Sequence, residues 1–226
     1  MPTLYYHPLS SYCWKALIAI KVLAADVALH AVNPGDASER DLLRTLSPFG
    51  KIPLLVDQDR PVLETSILIE HLQRHHARSN ARLIPEEPTC ELDVRLWDRL
   101  MDQYVMTPMQ AFTANLLAPE ERRDSVAIDK ARDLLLTSYG AIDRQLEGRT
   151  WLATDDFSLA DCAAAPALFY AIAYVPFGAE HARTAAYFDR LMDHPAIAAV
   201  IRDAQPFFKY FPGRAGLSSR FYQEEA

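Results

Sequence analysis

The chain has 226 residues, of which 50% are hydrophobic and 23% are charged, and its formal net charge is −7. This length supports one large domain or two small ones. The acidic balance argues against nucleic acid as the main partner, because phosphate binding needs a basic surface. No apolar run approaches the roughly 20 residues of a membrane-spanning helix. The N-terminus lacks the basic and then apolar pattern of a signal peptide, so we expect a cytoplasmic protein without a membrane partner.

Cysteine and histidine usage gives no sign of a disulfide framework or a metal centre. Cys13, Cys90 and Cys162 are an odd number of widely spaced thiols with no CxxC pair, which is typical of reduced cysteines in a cytoplasm. The seven histidines contain no HExxH pattern. His75 and His76 are adjacent, so they should face different sides of a helix. We therefore expect no bound metal.

Strand and helix signals alternate along residues 1–78. A first strand ends at Pro8, and apolar residues then recur at helical spacing behind two serines. The order that follows, βαβα and then a hairpin with a covering helix, predicts a thioredoxin-like α/β domain, βαβαββα. The predicted strands are 3–7, 27–32, 54–57 and 62–63, with a turn at 58–61, and the second and third predicted helices are 38–46 and 65–76.

Residues 79–90 form a predicted linker, because Pro85 and Pro88 stand among polar residues there. The segment 91–226 has only helical patterns, so we expect an all-α domain. Its helices include a stripe of Leu92, Leu96, Leu100 and Tyr104, a long helix over 126–146, a helix opened by the capping box Ser158–Asp161, and a helix from Pro195 to about Ala204.

The segment Tyr5–Ile20 carries chemistry as well as structure. It leads a strand through a Pro turn into a helix that starts with Ser10 and Ser11. Serine hydroxyls cap helices. The unpaired N–H groups and the dipole of a helix start also bind anions, and the same parts stabilise a thiolate. The segment alone is consistent with either role.

Three separated motifs resemble those of the cytosolic glutathione S-transferase family, over nearly the whole chain. Ser10–Lys15 (SSYCWK) resembles the serine-centred motif of the zeta-like classes. Gly50–Pro53 is similar to the loop that ends in a cis-proline before the family's third strand, and Glu64-Thr65 stands where the family usually has Glu-Ser. Ser158–Asp161 adds a structural match. By resemblance, the chain is identified as a bacterial, serine-type member.

This resemblance implies a glutathione-binding domain and a helical domain that holds the electrophile. Glutathione is then a co-substrate, no metal is required, and a homodimer is expected. The backbone of Ile52, before cis-Pro53, would pair with the cysteinyl part of glutathione like an added strand. Glu64 and Thr65, at a helix start, would bind the γ-glutamyl end. Lys51 and Lys15 are candidates for the glycyl carboxylate.

The resemblance also implies which group stabilises the glutathione thiolate. Ser10 is the favoured residue, its neighbour Ser11 is an alternative that otherwise caps the helix, and Tyr6 stands where the tyrosine-type classes have their catalytic tyrosine. Cys13 lies on the apolar stripe of the helix, so we expect it to be structural. A thiol-transfer reaction would need a cysteine at position 10.

The sequence also gives expectations for the reaction class and for the pocket that binds the electrophile. Two alternatives to a transferase remain: a zeta-like cis-trans isomerase that recycles glutathione, and a glutathione-fold binding module without turnover. Soft and aromatic side chains suit varied apolar ligands. The expected pocket residues are Met101, Tyr104, Met106, Met109, Phe112 and Phe208, the last of these on an apolar tail.

Overall fold

A computed structural model describes residues 1–222 of the chain; the last four residues of the predicted helical domain lie outside this range. The chain divides into two compact units, Met1–Leu83 and Ile84–Ala226. Across the described part of the chain, no helix is long and apolar enough to cross a membrane. The predicted fold class, a thioredoxin-like α/β domain followed by an all-helical one, is confirmed.

The first unit is built on a four-stranded sheet with the strand order β2-β1-β3-β4. β1 pairs in parallel with β2 and antiparallel with β3, and β3 pairs antiparallel with β4. The helix between two parallel strands is the crossover that such a pair requires. The elements are β1 (Thr3–Tyr6), α1 (Ser11–Val22), β2 (Ala28–Ala31), α2 (Ala37–Leu46), β3 (Leu54–Asp57), β4 (Arg60–Val62) and α3 (Thr65–His75).

Local signals account for most element boundaries in this unit, with two differences from the sequence prediction. α2 is capped by Asp36, whose carboxylate accepts from the Ser38 N–H, so the helix starts at Ala37 and not at Ser38. The hairpin turn is shorter than predicted, because Gln58 and Asp59 both adopt positive φ. β4 therefore begins at Arg60, two residues earlier than predicted.

The second unit is helical throughout its described residues. The Ser158–Asp161 capping box is present, with the Asp161 carboxylate accepting from the Ser158 N–H at 2.8 Å, and all of α7 is buried. Burial of this helix on every side explains its Ala-rich sequence. The helices are α4 (Pro88–Leu100), α5 (Thr107–Leu117), α6 (Ser125–Gln145), α7 (Leu159–Ala171), α8 (Ala182–Asp193) and α9 (Pro195–Ala204), with a π-helical segment Met101–Met106 between α4 and α5.

The apolar stripe that the sequence shows on α4 is not a core-facing stripe. Leu92, Leu96 and Tyr104 are 68%, 52% and 45% exposed, whereas Val94 and Met101 are buried. The core face of α4 therefore lies on another side of the helix, and the stripe forms an exposed apolar face.

Candidate functional site

The sheet register brings the predicted site segments of the first unit to one end of the sheet. Tyr5, near the end of β1, pairs with Leu54, the first residue of β3. The segment that leads from β1 into α1 and the loop that precedes β3 are therefore adjacent. The start of α3 is tied to α1 by a hydrogen bond of 3.0 Å from Lys15 Nζ to Ser66 Oγ.

Ser10 is the N-cap of α1. Its side-chain oxygen accepts from the Cys13 N–H at 3.3 Å, and its own N–H donates to the His7 carbonyl at 3.0 Å. Capping uses an acceptor lone pair of the hydroxyl, so its proton is not committed to the cap. Ser10 is half-buried, whereas Ser11 is only 6% exposed, so Ser10 is the more accessible of the two hydroxyls.

The thiol of Cys13, in the first turn of α1, is buried and does not face the solvent-accessible side of this helix start. Its side chain has no exposed surface, and burial raises the pKa of the thiol to about 12, against the lowering effect of hydrogen bonds with Ser10 and the His7 backbone. Burial also lowers the pKa of the half-buried His7 imidazole, whose Nδ1 accepts from the Leu9 N–H at 3.2 Å. Cys13 therefore lies in the core, as expected from the sequence.

The loop before β3 exposes backbone hydrogen-bonding groups. The Ile52-Pro53 peptide bond is cis, and Lys51 beside it is exposed. Within residues 1–222, no hydrogen bond uses the N–H or the carbonyl of Ile52. The Ile52 side chain packs against the cluster of Val32, Leu43 and Leu54. An anchored side chain with unpaired backbone groups is suited to pairing with an extended peptide.

The start of α3 combines strained backbone with unused donors. Glu64 adopts φ 64° and ψ 121°, a region that costs a non-glycine residue about 1–3 kcal/mol and that recurs at functional sites. No side chain caps this helix, and in the described part of the chain neither the hydroxyl nor the N–H of Thr65 forms a hydrogen bond. Such a helix start can receive a carboxylate.

Lys15 has a different place from the one that its sequence position indicated. Its side chain has no exposed surface and its Nζ lies against Ser66, the second residue of α3. It therefore does not reach a ligand carboxylate from the protein surface. The ammonium group instead supports the α3 start from inside, and sequence reasoning missed this role and the part of Ser66 in it.

The remaining predicted residues fall into two groups. Tyr6 is half-buried at the end of β1, close in sequence to the Ser10 segment. Most of the predicted pocket residues are core residues: Met101, Met106 and Phe208 are 1%, 0% and 0% exposed and offer no surface to a ligand. Met109 and Phe112 are also buried, with Phe112 stacked on Tyr174. Their apolar character reflects packing, and Tyr104 is the exposed member of the set.

The general class of this chain is therefore a two-unit protein. A thioredoxin-like unit, whose loop before β3 carries unpaired backbone groups beside a cis-proline, is followed by a helical unit. Residues 4–80 match the family model "Glutathione S-transferase, N-terminal domain", and residues 101–195 match "Glutathione S-transferase, C-terminal domain". The two matches together span about three quarters of the sequence. The chain belongs to the glutathione S-transferase family.

Individual relatives agree with this assignment. A crystal structure of a glutathione S-transferase from Methylobacillus flagellatus with GSH bound is 26% identical, has a TM-score of 0.80, and covers 88% of this chain and 98% of that one. A probable glutathione S-transferase of Glycine max is 21% identical, covering 91% of this chain and 90% of that protein. A stringent starvation protein A homolog of Coxiella burnetii is 28% identical over 74% of each chain.

Proposed function

We propose that this protein is a serine-type glutathione transferase of bacterial origin, in which the Ser10 hydroxyl donates a hydrogen bond to the glutathione thiolate. The thiolate attacks an electrophilic carbon of a small apolar molecule. The observation that carries the proposal is the set of groups around one end of the sheet: the Ser10 hydroxyl at the start of α1, and the Ile52 backbone and Thr65 hydroxyl, which form no hydrogen bond within residues 1–222.

Each part of glutathione has a proposed partner at this end of the unit. The cysteinyl backbone pairs with Ile52 beside cis-Pro53. The γ-glutamyl carboxylate accepts from Thr65 at the start of α3, Glu64 attracts the ammonium group, and the exposed Lys51 attracts the glycyl carboxylate. The GSH-bound structure from Methylobacillus flagellatus supports this proposal, because that protein is 26% identical and has the same fold.

The energy needed for thiol activation is within the range of these groups. A free thiol has a pKa of about 8.5, and lowering it by about two units needs roughly 2.7 kcal/mol. A hydrogen bond to a charged acceptor contributes about 1.5–3 kcal/mol, and a helix N-terminus about 0.3–1 kcal/mol. The positioned tripeptide then reacts as an oriented nucleophile.

The test is turnover of a model aryl halide with glutathione by the full chain and by Ser10→Ala. We expect the variant to bind glutathione and to lose about 10- to 100-fold in kcat/KM, which is the equivalent of one charge-assisted hydrogen bond. Ser10→Thr keeps a hydroxyl and should recover part of the activity. Ser10→Gly, which costs a helix cap only a few tenths of a kcal/mol, controls for lost capping. Full activity in Ser10→Ala would transfer the role to Ser11 or Tyr6.

A glutathione-fold module without turnover is the second candidate. The similarity to a stringent starvation protein A homolog favours it, because a relative of comparable identity does not carry a transferase name. Retention of the chain on immobilised glutathione with no turnover of any aryl halide would select the module. Conjugation that depends on Ser10 would select the transferase.

We also propose a homodimer in a cytoplasm. The exposed face of Leu92, Leu96 and Tyr104 supports the dimer, since contiguous exposed apolar patches mark interaction sites. Its three cysteines are free thiols, which suits a reducing compartment. Light scattering should give about twice the 25.5 kDa mass of one chain. The double variant Leu92→Lys and Leu96→Lys should give the mass of one chain.

A further inference from the structure

A cluster of metal-ligating side chains lies at the other end of the first unit. Asp57 is the last residue of β3, and its Oδ2 lies 2.9 Å from His71 Nε2 and 2.7 Å from His76 Nε2. The three ligand atoms all lie within 4.8 Å of one another. This Asp57–His71–His76 cluster belongs neither to the proposed glutathione site nor to its supporting residues.

The end of α3 explains how His71 and His76 meet. Five residues apart on a regular helix, they would point roughly 140° away from each other. His76 is the C-cap of α3, and its backbone is no longer helical, with φ −133° and ψ −1°. Its imidazole therefore turns back toward Asp57. His75, the adjacent residue, is exposed, and its ring centroid lies 4.7 Å from that of His71.

We propose that Asp57, His71 and His76 bind a divalent first-row transition ion, Zn²⁺ being the representative ion. Two imidazole nitrogens and one carboxylate oxygen are ligands that Zn²⁺ and its neighbours take, with water filling the fourth position. Mg²⁺ and Ca²⁺ are disfavoured, because they take oxygen ligands.

The geometry needs only a small adjustment to hold such an ion. Zinc–ligand bonds of about 2.1 Å at tetrahedral angles place neighbouring ligand atoms about 3.4 Å apart. Each imidazole nitrogen would have to retreat from Oδ2 by roughly 0.5–0.7 Å, and the two imidazole nitrogens, which lie within 4.8 Å of each other, would have to reach the same spacing.

The cluster is also accessible to an ion from solvent. The side chains of His71 and His76 are each 22% exposed, and that of Asp57 is 11% exposed. A surface cavity of about 380 Å³ opens against His76, with Asp26 on its wall. The distance from the α3 start to His76 is about 16 Å at 1.5 Å per residue, so the ion and glutathione would occupy separate places.

The test is equilibrium dialysis of the full chain, expressed without a polyhistidine tag, against micromolar Zn²⁺ with metal analysis. We expect one ion per chain. His71→Gln and His76→Gln keep an N–H donor for Asp57, and each should weaken Zn²⁺ binding by at least the roughly 10- to 100-fold that outer-shell substitutions cause. His30→Gln is the matched control, since His30 also pairs with a single carboxylate, that of Glu39, and should bind Zn²⁺ like the wild type.

The proposal is wrong if the wild-type chain binds no Zn²⁺, or if both glutamine variants keep the full stoichiometry and affinity. A second measurement needs no variant. Titration of the wild type with Co²⁺ should produce the visible absorption of a low-coordinate ion with nitrogen ligands and should saturate at one ion per chain. A spectrum unchanged from aqueous Co²⁺ would leave the cluster as a set of hydrogen bonds between β3 and α3.

Discussion

At the scale of single residues, burial sets the three thiols apart. Cys13 and Cys162 have no exposed surface, whereas Cys90 is half-buried near the start of α4. A hydrogen bond with Glu87 raises the pKa of Cys90, because the nearby carboxylate disfavours a thiolate. The Cys90 thiol is therefore accessible but not activated. The Cys13 thiol is buried and is not activated either.

Thiol labelling tests this difference. In native protein, DTNB should react slowly with one thiol per chain, and in denaturant with all three. Cys90→Ser should leave no reactive thiol in the native state. An adduct on Cys13, found by peptide mass spectrometry of natively labelled protein, would contradict its assignment to the core and would return thiol transfer to consideration.

At the scale of elements, the π-helical segment before α5 has an identifiable cause. Pro108 has no N–H to donate to the Tyr104 carbonyl four residues earlier. Ser138 Oγ on α6 lies 2.8 Å from that carbonyl and 2.7 Å from the Leu134 carbonyl of its own helix, so the two carbonyls share its one proton. The interruption of the helix is thus coupled to a specific contact with α6.

A double-mutant cycle measures this coupling. Ser138→Ala should lower the free energy of unfolding by about 1–1.5 kcal/mol, because the Tyr104 carbonyl loses its share of the Ser138 proton. In a Pro108→Ala background the same change should cost about 1 kcal/mol less, since the new N–H at 108 can donate to the carbonyl. Equal costs in both backgrounds, from denaturant unfolding, would show that the Ser138 contact does not compensate for the proline.

Asp143 connects α6 to α8 with a pH-dependent contribution. Its carboxylate accepts from the N–H groups of Arg183 and Thr184 at 2.8 and 3.0 Å, and from Arg183 Nη1 at 3.0 Å. Burial acts to raise the pKa of Asp143, but these donors bring it below the ordinary value. A lowered folded-state pKa means that the stabilisation is present above the unfolded pKa of about 3.9 and is lost as the pH falls through the folded value.

We therefore expect Asp143→Asn to destabilise the protein by about 1–3 kcal/mol at neutral pH and by less as the pH falls below about 4. Unfolding curves of both proteins over this range are the measurement. Asp129→Asn, at an exposed site on the same helix, is the control and should have little effect at any pH. A penalty for Asp143→Asn that stays constant down to pH 3 would exclude the carboxylate as its source.

At the scale of the whole molecule, ligand binding should be coupled to folding. Glutathione at 100 times its Kd should stabilise the folded chain by about 2.7 kcal/mol. Thr65→Val keeps the side-chain shape but loses the hydroxyl, which weakens binding about tenfold and leaves about 1.4 kcal/mol at the same concentration. Thermal unfolding with and without glutathione measures both values. Thr137→Val, exposed on α6, should respond like the wild type; an unchanged response in Thr65→Val would remove Thr65 from the site.

Much of the first unit was predictable, because its signals are local. Pro8, the paired serines and the period of the apolar residues predict β1 and α1 from sequence neighbours alone. The order βαβαββα then leaves few arrangements of the sheet. The hairpin turn was misplaced, since Gln58 and Asp59 adopt positive φ without the glycine or asparagine that normally indicates it.

Local signals in the sequence predict the order of elements and the capping of α1 and α7, since each of these depends on residues a few positions apart. Tertiary structure decided the burial of Lys15, the exposure of the α4 stripe, the core position of Met101 and Met106, and the meeting of Asp57 with His71 and His76. These outcomes depend on which elements pack together. Periodicity shows that a helix has an apolar face but not what covers that face.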